Sequence, residues 1–279
     1  MNIKKGICTL IVSSQILNAS EATNLAIDSS TLVSPVVLSE LSAEEIVSEM
    51  TSPIEDKSIT ENLSREEGIN KLQKIHSKLR LLHGSFEDEY PEQLMAAMYL
   101  HPDAKVLELG GNVGRNSCVI GSILQDSRNL VILESDKRSA ECLQQNRDYN
   151  NLQFHIEASA LSKIPLIQSD WTSKPSNVDL PGFFRVDTII FDEVQKKYEI
   201  EFDTMVVDCE GALYYILRDD PDILKNIKLI IVENDYTDKK HLDYTLEVFV
   251  KNGFRLIFSD KHVDSPTSFR EDFYQVWKK

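Results

Sequence analysis

The chain has 279 residues, 42% of them hydrophobic and 27% charged, which is enough for one large domain with an appendage and ordinary for a globular protein. No window approaches the roughly 18 consecutive apolar residues of a membrane span, so an integral membrane protein is excluded. Thirty Lys and Arg against 45 Asp and Glu leave a net charge of −15. Phosphate backbones and anionic lipid would be repelled, and nucleic acid is not an expected partner.

Residues 1–22 combine a basic start (Lys4, Lys5), an apolar run and small residues around Ser20 and Ala22, the outline of a secretory signal interrupted by Ser13, Ser14 and Gln15. Residues 23–63 read as a disordered acidic linker. The stretch from Thr23 to Arg65 sets eight acids against Lys57 and Arg65 and has no aromatic residue. Folded structure is expected over 64–279, as a helical extension (64–100) on an α/β core (101–279). Ser64-Arg65-Glu66-Glu67 has the form of a capping box ahead of the helical apolar spacing Ile69, Leu72, Ile75, Leu79. A shorter helix is predicted over 91–100.

Beyond His101-Pro102 the pattern alternates. Strands are predicted at 105–109, 130–134, 153–156, 204–208, 229–233 and 255–259, with helices at 116–125, 137–146, 213–224 and 239–252. Apolar, β-branched strands separated by helices imply a doubly wound α/β sheet with both faces covered. A last strand at 273–277 follows without room for a crossover helix, so it must pair antiparallel to its neighbour. The segment 168–184 shows no pattern.

Three of the chain's ten glycines, Gly110, Gly111 and Gly114, fall within Glu108-Leu109-Gly110-Gly111-Asn112-Val113-Gly114 at the end of the first strand. Such a turn brings backbone N–H groups of the next helix to a ligand. Neither the dinucleotide fingerprint nor a phosphate loop can be read there, so a nucleotide-like cofactor without pyrophosphate fits. Glu134, followed by Ser135 at the end of the second strand, is placed to accept ribose hydroxyls. Ser159 and Ala160, past the third strand, are expected beside an adenine. Asp208, Glu210 and Glu233 emerge at the carboxyl edge of the sheet and are predicted to converge, a crowding that raises at least one pKa and suits proton transfer. Cys8, Cys118, Cys142 and Cys209 form no Cys-x-x-Cys pair and have no histidine at ligand spacing, which speaks against a zinc site.

Gly110-Gly111-Asn112-Val113-Gly114, Leu143-x-x-Asn146-x-x-x-Asn150, Ser159-Ala160-Leu161, Asp208-Cys209-Glu210-Gly211 and Glu233 together resemble, in order and spacing, the FkbM-like family of S-adenosylmethionine-dependent methyltransferases. The resemblance implies a class I methyltransferase fold of seven strands, the last antiparallel. It implies S-adenosyl-L-methionine as cofactor, held by Glu108, the 110–114 turn, Glu134, Ser135, Ser159 and Ala160, and O-methylation of a glycan or small molecule. The chain departs from the family at Val206, where a lysine is usual, at Leu213, where an acid is usual, and at Asn234, where a histidine is usual. Asp208 or Glu210 would accept the proton of the acceptor hydroxyl while Glu233 orients the acceptor. Alternatively, these carboxylates would hold Mg²⁺ or Ca²⁺. A protein methyltransferase and a non-catalytic cofactor-binding protein, exported if the leader acts, stay open beside this reading. The need for the cofactor favours the cytoplasm.

Overall fold

The computed structural model describes residues 63–169, 172–261 and 272–279. The predicted leader and nearly all of the acidic linker lie outside the described residues. No helix among those described is long and apolar enough to cross a membrane.

Helix α1 (Arg65–His76) starts at the anticipated capping box. The Ser64 side chain accepts from the Glu67 N–H, and the Glu67 carboxylate accepts from the Ser64 N–H at 2.8 Å. After α2 (Tyr90–Tyr99) come β1 (Val106–Leu109), α3 (Arg115–Ile123), β2 (Leu130–Leu133), α4 (Lys137–Tyr149) and β3 (His155–Glu157). The second half holds α5 (Phe191–Tyr198), β9 (Thr204–Val207), α6 (Leu213–Asp219), β10 (Leu229–Glu233), α7 (Lys239–Lys251), β11 (Arg255–Asp260) and β12 (Tyr274–Lys278).

These strands make one seven-stranded sheet in the order β11-β12-β10-β9-β1-β2-β3. The pairs from β3 to β10 are parallel, and β12 runs antiparallel to both β10 and β11. The doubly wound sheet and its antiparallel last strand are therefore as the sequence implied, and β12 lies inside the sheet, wedged between its two partners. Successive residues of β1 and β9 point to opposite faces, so Val106 and Val206 join one core while Leu107 and Met205 join the other. The first core is closed by α1 to α4, through Leu72, Met95, Ile120 and Leu143. The second is closed by α5 to α7, through Val194, Leu217 and Phe249. Covering both faces is what lets the strands be apolar throughout.

The segment without a pattern folds as a small β lobe. Strands β5 (Leu166–Ser169), β6 (Thr172–Pro175) and β7 (Phe184–Val186) form an antiparallel sheet centred on β5, and β4 (Ala160–Leu161) pairs with β8 (Thr188–Ile189). Only β5 among the three strands buries apolar side chains, Leu166 and Ile167. Helix α5 was also not anticipated, although Phe191, Val194 and Tyr198 have helical spacing.

Candidate functional site

The carboxyl ends of β1, β2 and β9 open onto a cleft lined by Gly110, Asn112, Glu134, Ser159, Asp208 and Glu210, with Gln168 and Ser173 of the lobe along its wall. Ser135 and Ala160 also line it, whereas Glu108, Gly111 and Gly114 do not. Gly111 faces protein: a Cβ on it would stand 2.3 Å from Ile132 Cγ2. Gly110 has φ +86°, and a Cβ on it would stand 1.6 Å from the Asp208 carbonyl oxygen, so glycine is required for the close approach of β1 to β9. A Cβ on Gly114, at φ +89°, would stand 2.3 Å from Leu143 Cδ1. Gly111 and Gly114 are thus fitted to protein neighbours, and the residues of the turn that face the cleft are Gly110 and Asn112. Glu108 is buried beneath the turn at 2% exposure. That burial, opposed by the Ser117 hydroxyl, lifts its pKa to about 8.

Glu134 stands at the cleft with both carboxylate oxygens engaged. The Asn112 N–H donates to Oε2 and the Asp136 N–H to Oε1, each at 2.7 Å. Burial raises its pKa and these two donors pull against it. Each oxygen keeps a second lone pair for a hydroxyl donor from the cleft. Nearby, the Ser159 hydroxyl is 94% buried by residue yet has no hydrogen-bond partner in the protein. An orphaned buried polar atom on a cleft wall is explained by a ligand group that meets it.

Behind Asp208 on the cleft wall is a carboxyl cluster whose other two members, Glu92 and Glu233, do not line the cleft. One oxygen each from Glu92, Asp208 and Glu233 lie within 4.8 Å of one another. Asp208 and Glu233 were expected to meet, but the third member is Glu92 of α2; Glu210 is an exposed residue on the cleft wall with φ +51°, outside the trio. Burial first, then the charges of Asp208 and Glu92 and hydrogen bonds to both, push the Glu233 pKa far above the carboxylate range, so it stands as the acid of the group. Glu92 is raised to about 8, by burial first and then by Asp208. Asp208 is raised by burial, while the Glu233 hydrogen bond and the Arg115 charge favour its ionised form. Among the described residues, this is the one set of three carboxyls spaced for a shared proton or a single cation.

A further acid, Glu89, precedes α2 in the left-handed region at φ +55°. Its Oε1 accepts from Arg115 Nη1 at 2.5 Å and from Asn112 Nδ2 at 3.3 Å. Burial nonetheless lifts its pKa to about 7. Nothing in the helical pattern around 91–100 distinguishes Glu92 from a solvated position, and only the docking of α2 against the sheet reveals it. Glu89 carried no signal either.

No family model matches the chain, and no curated protein matches it. Among solved structures, an O-methyltransferase from Bacillus cereus in complex with S-adenosylhomocysteine is 15% identical, covering 84% of this chain and 100% of its own, with a TM-score of 0.42. The O-methyltransferase TomG from Streptomyces achromogenes, in complex with S-adenosylmethionine, is 14% identical over 83% of this chain and 97% of its own, at 0.40. A ribosomal protein L11 methylase from Lactobacillus delbrueckii is 10% identical over 71% and 81%, at 0.45. At these TM-scores, the geometry of the cleft itself must carry any functional reading.

Proposed function

We propose that the cleft binds S-adenosylmethionine and that the protein is an O-methyltransferase of the FkbM-like kind, acting on a hydroxyl of a glycan or small molecule. The observation that carries this reading is Glu134. It is a carboxylate at the end of β2, aimed by two backbone N–H donors of 2.7 Å beside a glycine turn, with lone pairs left over for vicinal hydroxyls. The unpartnered Ser159 hydroxyl and the small Ala160 fit the adenine side of the same ligand.

Bound there, the cofactor supplies a methyl group already activated on a sulfonium, so the protein must align the acceptor, exclude water and take a proton. Asp208, on the cleft wall at the end of β9, is the proton acceptor in this reading. Glu134 and Ser159 would hold the methyl donor, and the Asp208 carboxylate would take the proton that the acceptor hydroxyl gives up on methylation. Glu233, kept protonated, hydrogen-bonds Asp208 and so holds it ionised until that moment.

Calorimetry with S-adenosylmethionine and S-adenosylhomocysteine, followed by transfer of a labelled methyl group to mixtures of glycans and small alcohols, tests the proposal. Absence of binding by either nucleoside sinks it. A second role for the trio follows from its 4.8 Å spacing: methyl transfer abolished by a chelator and restored by Mg²⁺ or Ca²⁺ would make it a cation site.

A further inference from the structure

Asn146 does not line the cleft, yet its side chain is fully hydrogen-bonded beside it. It is 0% exposed on α4. Its Oδ1 accepts from the N–H groups of Leu82 (2.7 Å) and His83 (3.1 Å), and its Nδ2 donates to the carbonyls of His83 (2.9 Å) and Val113 (2.7 Å). Four hydrogen bonds use the full capacity of one amide side chain. Three of them end on the connection between α1 and α2; the fourth ends inside the glycine turn, between Asn112 and Gly114. Beyond His83 the same connection reaches Glu89, which grips Asn112 and Arg115 from the other side. One turn later Glu92 enters the carboxyl trio. The N-terminal helical extension and the glycine turn are therefore tied at two places, and Asn146 is the tie that lies outside the cleft.

Asn150 provides the contrast. One helical turn along α4, it accepts from the Arg80 N–H at 2.9 Å and donates to the Arg80 carbonyl at 2.7 Å. Its remaining side-chain bond, at 2.7 Å, goes to the Asn146 carbonyl. It fastens the α1–α2 connection to α4, and none of its side-chain hydrogen bonds reaches the glycine turn.

We propose that Asn146 is a positioning residue for the cofactor cleft, holding the α1–α2 connection and the glycine turn as one body so that Asn112 and Glu134 meet the ligand in register. For its ligand the inference rests on the methyltransferase reading. The path runs from Asn146 to the Val113 carbonyl, which orients the peptide groups on either side of it. The Asn112 N–H is then aimed at Glu134. An amide is needed because the site presents two donors and two acceptors together; aspartate would match only the donors.

The test compares Asn146→Ala, Asn146→Asp and Asn150→Ala in the full chain, using S-adenosylmethionine affinity, thermal midpoint and amide hydrogen exchange. Asn146→Ala and Asn150→Ala should both lower the midpoint, since each frees the connection. Only the Asn146 variants should weaken binding, by about tenfold, and speed exchange of the Asn112 and Gly114 amides. Asn146→Asp keeps the acceptor bonds to Leu82 and His83 and loses the donor bond to Val113, so it should behave as Asn146→Ala does toward ligand. In the unaltered protein, the Leu82, His83, Asn112 and Gly114 amides should show protection within about threefold of one another, as one opening unit. That measurement decides even where the variants do not fold. Unequal protection, wild-type affinity and exchange in a folded Asn146 variant, or an equal loss in Asn150→Ala would overturn the proposal. Failure of the unaltered protein to bind S-adenosylmethionine would instead refute the methyltransferase reading, and exchange would still judge Asn146.

Discussion

Glu134 and Glu233 are both glutamates at the carboxyl end of an apolar strand on one sheet edge, both are buried, and their hydrogen-bonding neighbours act on them in opposite directions. Glu134 faces two N–H donors, which favour the anion. Glu233 faces two carboxyls, Asp208 and Glu92, which favour the acid. Strand-end position alone does not decide what a carboxyl does; the partners brought in by loops and by α2 do. The cleft offers a carboxylate to hydrogen-bond donors at Glu134, and at Asp208 its wall backs onto two further carboxyls.

The contrast can be broken most severely at the base itself. Asp208→Asn should lower turnover by about 10²–10⁴-fold while S-adenosylmethionine binds nearly as before, measured by calorimetry beside a methyl-transfer assay. Next in size, Glu134→Ala should cost about 1.5–3 kcal/mol of cofactor affinity through lost charge-assisted hydrogen bonds. Unchanged affinity in the folded variant would remove the ribose assignment. Amide substitution then sharpens the comparison. Glu134→Gln should weaken binding markedly because an anion is replaced, while Glu233→Gln should leave cofactor affinity within about twofold because a neutral amide replaces a neutral acid. Equal effects would mean that the two charge states have been misassigned.

A separate effect is on stability against pH. Glu92 and Glu108 have folded-state pKa values of about 8, against an ordinary 4.5 when unfolded. Between those values the folded chain binds more protons than the unfolded one, so this contribution is fully present below about pH 4.5 and is lost as pH rises toward 8. The melting temperature should therefore decline from pH 5.5 to 8.5, and Glu92→Gln should flatten the decline. A melting temperature that rises across this range would contradict the burial of these acids.

The parts of this cleft that follow from local patterning were legible. The 110–114 turn, Glu134, Asp208 and Glu233 all sit where an apolar run meets a polar residue, and strand ends in an open α/β sheet gather at one edge. Glu92 was not legible, because its role comes from the docking of α2 onto β10 and not from anything beside it in the chain. Glu210 lines the cleft as Asp208 does, but two residues further on, in the left-handed region at φ +51°, it stands outside the trio. The lobe escaped notice because β6 and β7 are short, interrupted by Pro175 and Pro181, and largely without buried apolar side chains. Asn146 and Asn150 were visible as a spacing, but their partners at residues 80–83 are fixed only by the fold.

The wedged position of β12 has a consequence for how the chain is made. During synthesis from the N-terminus, β10 and β11 emerge with a gap between them that only residues 274–278 can fill. Until then Ile230, Ile231 and Leu256 lack the strand that pairs β10 with β11, and Trp277, 0% exposed once home, has no core to enter. Two open strand edges and an unfilled apolar slot are what a nascent chain must protect from foreign strands. The sheet is completed late and from within, so a ribosome-stalled chain released before residue 274 should be degraded or aggregate even though the whole glycine turn and Glu134 have already been made.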